Sequence, residues 1–293
     1  MRVNTVKNAL KSGQPSVGTC CRWAASPRPL PRPLRLRLAH RGRRAYQRTL
    51  ATTHNNLAGV LQGQGRKADA LAEYRSALDV REKMAASFPA TPTDKVHLGG
   101  NYCNIGVALE DKPEEALPWY DRAVETLRPV LDRDPRNSLA ATFLRNSYLN
   151  RAAARAQLSR YKEAVADYDK ALAHVDVGNR LPVRVRRVLC LAWVEPAEAA
   201  AEAEDLLKGA PAIGVPRVMA ARVYSAAAGA AKDPELSKQY LGRALGLLRE
   251  ARDLGHFRDG RHIDEVMADP HLAVLRRQAD LAALARGGPP KRD

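Results

Sequence analysis

The sequence predicts an all-α fold of stacked helix pairs, a solenoid, because one short pattern occurs in it three times. The pattern is Ala, an aromatic residue four positions later, and Ala again three positions after that. Positions i, i+4 and i+7 share one face of an α-helix, so each copy indicates a helix that packs closely against a neighbour. Repeated units of this kind bury their core by stacking. The copies are Ala70, Tyr74 and Ala77; Ala116, Tyr120 and Ala123; and Ala164, Tyr168 and Ala171.

The composition supports a helical array and places its positive charge at one end. Phe, Tyr and Trp make up 5% of the 293 residues, which suits thin helical layers. The net charge is +16, yet residues 1–68 hold 14 Lys and Arg and no Asp or Glu. Residues 69–293 hold the other 34 basic and 32 acidic residues, a net charge of +2. The array itself is nearly neutral, which argues against general nucleic-acid binding by it.

A first helix with a small residue precedes each copy of the pattern. The first Ala of the pattern follows Ala58 and Ala152 by twelve positions, and Gly106 by ten. This arrangement resembles the tetratricopeptide repeat (TPR) family, in which a Leu-Gly-like pair on the first helix precedes Ala, an aromatic and Ala on the second. The resemblance implies a right-handed superhelix with a concave groove that binds proteins. The pairs are Leu57-Ala58, Ile105-Gly106 and Arg151-Ala152.

The resemblance covers residues 45–254 and predicts the domain organisation. Successive units start 46 and 48 residues apart, more than the family's period of about 34, so we expect longer connections or longer helices. Pro113, Pro196 and Pro234 stand near predicted helix starts. We expect clear repeats at about 47–86, 94–131 and 137–174, degenerate helix pairs at 182–208 and 216–254, and C-terminal capping helices at 255–288.

Aligning the repeats reveals a row of asparagines two positions before each small residue: Asn56, Asn104 and Asn150. In the TPR family this position faces the groove, and the row is similar to that of kinesin light chains. An amide can pair with the N–H and C=O of a peptide backbone together. Two explanations stay open: peptide contact, or a structural role inherited by repeat duplication. The expected groove neighbours are Asn55, Asn146 and Arg145.

Residues 1–44 are predicted to form a disordered basic arm rich in Pro and Arg. Prolines at 27, 29, 31 and 33 prevent a helix and favour extended chain. Three other interpretations stay open. The arm could bind anions such as phosphate or a membrane surface. It could be a targeting segment, although it lacks the apolar region of a secretory signal. It could also be a remnant of a longer protein or an upstream sequence translated in an unnatural frame.

The C-terminal end carries a second resemblance. The stretch Asp-Pro-His-Leu-Ala-Val-Leu-Arg, residues 269–276, is similar to the tail of TPR regions attached to large bacterial serine/threonine protein kinases. Leu272, Leu275, Leu281 and Leu284 fall near helical spacing, which predicts an amphipathic helix that caps the last repeat.

We find no motif for catalysis or for a metal. The sequence has no Walker loop, no Gly-x-Gly-x-x-Gly loop, no Asp-Phe-Gly and no Gly-x-Ser-x-Gly elbow. Residues 133–137 are predicted to be a turn between helices. The spacing of five polar residues near the end matches no ligand signature, so we expect them to be exposed: His256, His262, Asp264, Asp269 and His271. No enzyme activity and no cofactor are expected.

Cysteine usage and hydropathy indicate the compartment. Cys20, Cys21, Cys103 and Cys190 form no CxxC pair and no disulfide framework, so a reducing, cytoplasmic location is expected, with Cys103 and Cys190 buried in helices. No apolar run is long enough to span a membrane.

The sequence therefore predicts a non-catalytic interaction scaffold that binds an extended peptide or partner protein in a concave groove, without a small-molecule substrate. Two alternatives stay open. The chain could be a detached regulatory or docking TPR region of a bacterial serine/threonine kinase signalling protein. It could also bind nucleic acid or an anionic surface, through the basic arm.

Overall fold

The structure is a computed structural model that describes residues 32–257, 266 and 268–275, with side chains from residue 40 onward. All regular structure in this part of the chain is helical. The helices are α1 (Arg32–Gly63), α2 (Lys67–Ser87), α3 (Pro92–Ala108), α4 (Pro113–Arg133), α5 (Ser138–Gln157), α6 (Tyr161–Leu172), α7 (Arg180–Leu191), α8 (Pro196–Lys208), α9 (Gly214–Ala230) and α10 (Pro234–Asp253). Short 3-10 turns occur at Val177–Asn179 and Pro270–Leu272.

From α2 to α10, each helix packs against the next helix in the chain. The first helices of neighbouring pairs also pack together, α3 with α5 and α7 with α9. The predicted all-α class of stacked helix pairs is therefore confirmed. The chain divides into two units, Met1–Tyr46 and Gln47–Asp293, and the second unit holds the array. The predicted extra length lies mostly in lengthened helices, since only residues 88–91 separate α2 from α3.

The predicted disorder of residues 1–44 is wrong for residues 32–44, because α1 begins at Arg32. Pro33 lies in the first turn of the helix, where a missing N–H costs nothing. Leu, Arg and Ala, all good helix formers, then fill most positions up to Gly42. The rest of the arm, residues 1–31, lies outside the described residues.

Local signals explain where the helices start and end. Pro113, Pro196 and Pro234 each stand in the first turn of a helix, as predicted. Thr91 caps α3 through a capping box with Asp94, whose carboxylate accepts a hydrogen bond from the Thr91 N–H at 3.0 Å. The predicted turn at 133–137 is confirmed for residues 134–137, which separate α4 from α5, while Arg133 is the last residue of α4.

The three patterned tyrosines lie in the core with their alanines. Tyr74, Tyr120 and Tyr168 are all buried. A Cβ built on Gly106 would lie 2.5 Å from the ring of Tyr120, so only glycine allows the two helices of this pair to approach so closely. Tyr74 donates its hydroxyl hydrogen to Gln62 Oε1 at 3.0 Å, which satisfies its polar end.

The third repeat replaces an apolar contact by an ionic one. Arg151 occupies the position of Leu57 and Ile105, and its guanidinium contacts the fully buried carboxylate of Asp167 at 2.7 and 2.8 Å. Arg155 contacts the same carboxylate at 2.6 Å. The buried charge of Asp167 therefore has two cationic partners, as a buried carboxylate requires.

The residues after α10 pack on α9. Leu272 and Leu275 are fully buried there, whereas Leu281, Leu284 and most of the predicted cap at 255–288 lie outside the described residues. The expected exposure of Asp269 is wrong: Asp269 is buried, pairs with Arg222 and accepts a hydrogen bond from the backbone N–H of His271 at 2.8 Å. His256 and His271 are half-buried. His262 and Asp264 are not among the described residues.

Candidate functional site

The asparagine row lies along three successive first helices. Asn104 on α3 donates its amide hydrogen to Asn55 Oδ1 on α1 at 3.0 Å. Asn150 on α5 directs its amide towards Cys103 Sγ on α3 at 4.0 Å, a weak contact because sulfur is a poor acceptor. Asn55 and Cys103 each stand three positions before the small residue of their repeat. Both amides therefore contact the same position of the preceding repeat. We call this set of α1, α3 and α5 residues the asparagine face.

The amides of the asparagine face retain hydrogen-bonding capacity. Asn104 and Asn150 are half-buried and Asn56 is exposed. Among the described residues, the Oδ1 atoms of Asn104 and Asn150 accept no hydrogen bond from protein groups, and each Nδ2 uses one of its two hydrogens. The face can therefore offer both an acceptor and a donor to a peptide backbone.

Two further predicted site residues lie together at the α5 end of this face. Arg145 Nε donates to Asn146 Oδ1 at a long 3.4 Å, and both side chains are half-buried. Within the described part of the chain Arg145 makes no ion pair with an acidic side chain, so its charge is available to a ligand. The structure thus brings Asn55 next to Asn104, and Arg145 next to Asn146. It shows no hydrogen bond from Asn56 to another described residue.

Sequence reasoning missed Cys103 as a member of the asparagine face. Its alignment with Asn55 was the available signal, since both stand three positions before the small residue. Burial raises the pKa of the Cys103 thiol, while Ser147 and Asn150 act in the opposite direction by hydrogen bonding. Cys103 is buried, as predicted for both Cys103 and Cys190. Cys20 and Cys21 lie outside the described residues.

Shape also defines the asparagine face. A Cβ built on Gly100 of α3 would lie 2.7 Å from the ring of Phe143 on α5, so Phe143 fills the space that this glycine leaves. Gly59 on α1 faces no such neighbour, and its nearest atom is the Tyr74 hydroxyl at 3.9 Å. The two glycines stand at different positions of the repeat, since Gly100 aligns with Thr52 of α1 and Gly59 aligns with Val107 of α3.

A separate apolar cleft of about 500 Å³ lies between α7, α8 and α9. Leu181, Val185, Leu206, Ile213 and Met219 are among its lining residues, and Leu181 and Ile213 are more than half exposed. Aliphatic linings of this size suit apolar groups.

The described residues contain no group of three or more His, Cys, Asp and Glu side chains that could hold a metal ion. Nor does any helix among them have the length and apolar character needed to cross a bilayer. Comparison with protein-family models gives no match, and no curated protein matches the chain in sequence. The fold and the site define the class of the molecule, an all-α array of helix pairs.

Proposed function

We propose that the chain is a non-catalytic scaffold of the TPR type that binds an extended peptide segment of a partner protein along the asparagine face. The observation that carries the proposal is the pair of contacts that Asn104 makes with Asn55 and Asn150 makes with Cys103. Asn55, Asn104 and Asn150 link three first helices, yet the row keeps open acceptors and donors at half-exposed positions.

The spacing of the row suits an extended ligand. Neighbouring helices pack about 8–10 Å apart, and a polyproline II chain advances about 9 Å in each three-residue turn. A peptide in this conformation presents the same backbone edge to Asn56, Asn104 and Asn150 in succession. Binding through backbone groups depends little on side-chain sequence, and Arg145 favours an acidic residue at the α5 end.

The test uses a random peptide library displayed on phage and selected against the full chain. Selected peptides are synthesised and their affinities measured for the wild type and for the triple variant Asn56→Ala, Asn104→Ala, Asn150→Ala. We expect the triple variant to weaken binding at least about tenfold, which corresponds to about 1.4 kcal/mol. The matched control is Asn179→Ala, an exposed asparagine with no side-chain cap hydrogen bond at the start of α7.

Thermal unfolding of the same variants separates ligand contact from a purely structural role. A structural role predicts a lower unfolding temperature for the triple variant and unchanged affinity once the protein is folded. Equal affinities of wild type and triple variant, or a library that yields no binder, would contradict the proposal.

A further inference from the structure

Arg81, near the end of α2, is a buried cation that forms no ion pair in the described part of the chain. The residue is 5% exposed, and its Nε atom has no hydrogen-bond partner among the described residues. Burial lowers the pKa of Arg81, and the charge of Asp94 acts in the opposite direction, yet a guanidinium stays protonated in proteins. A buried charge is costly unless an anion neutralises it, so this side chain indicates an anionic partner.

Packing of the repeat does not require an arginine at this position. Arg81 stands four positions after the second Ala of its pattern, where the second repeat has Leu127 and the third has Val175. Both of these residues are buried in apolar clusters. An apolar side chain therefore satisfies the core here, and the charge of Arg81 needs another explanation.

The packing of α2 against α3 brings Arg81 close to Asp94 and His97. Only residues 88–91 separate the two helices, so α3 runs back along α2. Asn101 Nδ2 on α3 donates to the backbone oxygen of Tyr74 on α2 at 3.1 Å. Seven residues from this contact, about two turns along each helix, stand Asp94 and Arg81. His97 lies one turn from Asp94, and burial and the charge of Arg81 both lower its pKa.

The two α3 residues are also polar where the third repeat is apolar. Asp94 aligns with Ala140 on α5, and His97 aligns with Phe143. Together with Arg81, three polar replacements therefore meet at one end of the interface between α2 and α3.

The charge of Asp94 is already balanced by Arg48 on α1. Arg48 Nε contacts Asp94 Oδ1 at 2.7 Å, and Arg48 Nη2 contacts Oδ2 at 3.1 Å. The backbone N–H and the hydroxyl of Thr91 also donate to Oδ2, at 3.0 and 2.7 Å. The cluster of Arg48, Arg81 and Asp94 therefore keeps one positive charge, and that charge belongs to Arg81.

The chain segments beside Arg81 supply no acid to neutralise it. Residues 1–68 contain no Asp or Glu. On α2, Asp79 pairs with Lys83 at 2.7 Å and Glu82 is exposed. We therefore look for the anion among external ligands.

The donors at this place suit a tetrahedral oxyanion. His97 is half-buried and has a lowered pKa, so near pH 7 its ring is neutral and carries one N–H donor. A planar carboxylate uses both oxygens on the fork of one guanidinium. A phosphate group that is held by Arg81 in the same way keeps further oxygens for a donor on the other helix.

We propose that Arg81 and His97 form a binding site for a phosphate group at the interface between α2 and α3. Arg81 supplies the positive charge, and His97 supplies a second donor from the facing helix. The site is reached from solvent beside His97 and beside Arg48, whose side chain is 41% exposed. It includes no residue of the proposed peptide-binding row, so it stands or falls independently of peptide binding.

Isothermal titration calorimetry of the full chain, with inorganic phosphate as the probe, measures binding at this site. We expect Arg81→Leu, which introduces the residue of the second repeat, to weaken phosphate binding at least about tenfold. Arg75→Leu is the matched control, because it removes the same charge from an exposed position of the same helix, and it should leave the affinity unchanged. Unchanged binding by Arg81→Leu would overturn the proposal. Equal losses in the two variants would also overturn it, since they indicate general attraction to a basic protein.

Thermal unfolding separates phosphate binding from a structural role of Arg81. Without phosphate, Arg81→Leu should unfold at a temperature no lower than the wild type, because the variant removes an unpaired buried charge. Phosphate should raise the unfolding temperature of the wild type and leave that of the variant unchanged. A variant that is destabilised without phosphate, and that phosphate stabilises as much as the wild type, would assign Arg81 to the fold alone.

NMR signals of the imidazole protons examine the wild type without any substitution. Phosphate should shift the signals of His97 to saturation and leave those of His54, which is paired with Glu73 at 2.6 Å, in place. His97→Gln keeps a donor and should retain most of the affinity, whereas His97→Phe should bind phosphate at least about threefold more weakly. His97 signals that do not respond to phosphate would contradict the site.

A short peptide with one phosphoserine distinguishes the two sources of a phosphate group. Tighter binding of this peptide than of inorganic phosphate assigns the site to a phosphorylated side chain of a partner, and weaker binding assigns it to free phosphate. The same peptide with glutamate in place of phosphoserine should bind at least about tenfold more weakly than the phosphorylated form. Equal binding of the two peptides would contradict the assignment to phosphate.

Discussion

In α4 the core tyrosine, Tyr120, packs against the first helix of its own pair, whereas in α8 the corresponding position is Ala203. The aromatic side chain beside α8 comes from the next first helix. Tyr224 on α9 donates its hydroxyl hydrogen to Glu204 Oε1 at 2.8 Å, and its hydroxyl oxygen also lies 3.3 Å from the Ala200 backbone oxygen. The helix α8 therefore takes its aromatic contact from the next first helix, whereas α10 keeps a buried tyrosine of its own, Tyr240, whose ring lies beside that of Tyr224.

One ion pair from each region differs in its exposure, although the C-terminal region also has a buried carboxylate, Asp269, paired with Arg222. In α5 and α6, Arg151 and Asp167 are buried together. In α8 and α10, Glu204 and Arg243 contact each other at 2.8 Å, with 39% and 38% of their side chains exposed. The contrast teaches that a repeat can lose its sequence pattern without losing its packing.

The largest expected effect is the loss of a core ring. Tyr120→Ala should destabilise the protein by about 4 kcal/mol, because it removes a buried aromatic side chain and leaves a cavity beside Gly106. If Tyr224 performs the equivalent task in the C-terminal pairs, Tyr224→Ala should cost the same within about 1 kcal/mol. Urea unfolding followed by circular dichroism measures both. A cost for Tyr224→Ala that is far smaller than for Tyr120→Ala would break the comparison.

Arg151→Leu introduces the residue type that the other repeats carry, yet it should destabilise the fold by about 3 kcal/mol, because Asp167 loses one of its two cationic partners. The double variant Arg151→Leu, Asp167→Ala should cost less than the sum of the single variants.

Arg243→Leu is the matched change in the C-terminal pairs. It should cost no more than about 1 kcal/mol, since its ion pair with Glu204 is partly exposed to solvent. Urea unfolding measures the free energy of unfolding of all these variants. If the double variant at Arg151 and Asp167 loses as much free energy as the two single variants together, the two residues are not a coupled pair.

Glycine substitutions compare packing density. Gly106→Ala should cost about 2 kcal/mol, because the new methyl group would lie 2.5 Å from the Tyr120 ring. Gly242→Ala on α10 meets no atom within 4 Å and should instead stabilise the helix by about 0.5–1 kcal/mol. Thermal unfolding of the two variants measures the difference. Destabilisation by Gly242→Ala would contradict the open surroundings of this glycine. Close packing in the C-terminal pairs occurs instead at Gly214, where an added Cβ would overlap the side chain of His256.

Local patterns in the sequence were enough to predict much of this fold. The spacing of Ala and Tyr predicted the stacked helices, and prolines predicted three helix starts, because both signals act within one or two turns. The helix over residues 32–44 was missed because the alternating prolines before it outweighed the Leu and Arg that follow. Tyr224 was missed because its contact with α8 joins two helices, and no spacing within either helix records it.

The candidate site was predictable in part for the same reason. Alignment placed Asn56, Asn104 and Asn150 in one row, but the partner of each amide belongs to the preceding repeat, which only three-dimensional packing reveals. Arg151 at a Leu position was visible in the sequence as a departure from the pattern, whereas Asp167 was not, because repeat one has the acidic Glu73 at the same position. Their pairing required the α5 and α6 helices to be in place. That the asparagine face binds a peptide stays a prediction.

The smallest expected effect is a pH dependence shared by the two regions. Burial lowers the pKa of His97 on α3, and the neighbouring Arg81 lowers it further, while Asp94 acts in the opposite direction. Burial also lowers the pKa of His271. Below the ordinary histidine pKa of about 6.5 the unfolded chain binds more protons than the folded one, so acid favours unfolding.

The stabilising contribution of these histidines is therefore complete above about pH 6.5 and is lost as pH falls through their lowered folded values. Urea midpoints at several pH values between 7.5 and 5 should decrease, and His97→Gln or His271→Gln should each flatten the decrease. NMR titration of the imidazole protons assigns the pKa of each ring. If His97→Gln changes nothing and His271→Gln removes the slope, the α3 histidine is solvated, and the pH response belongs to the C-terminal region alone.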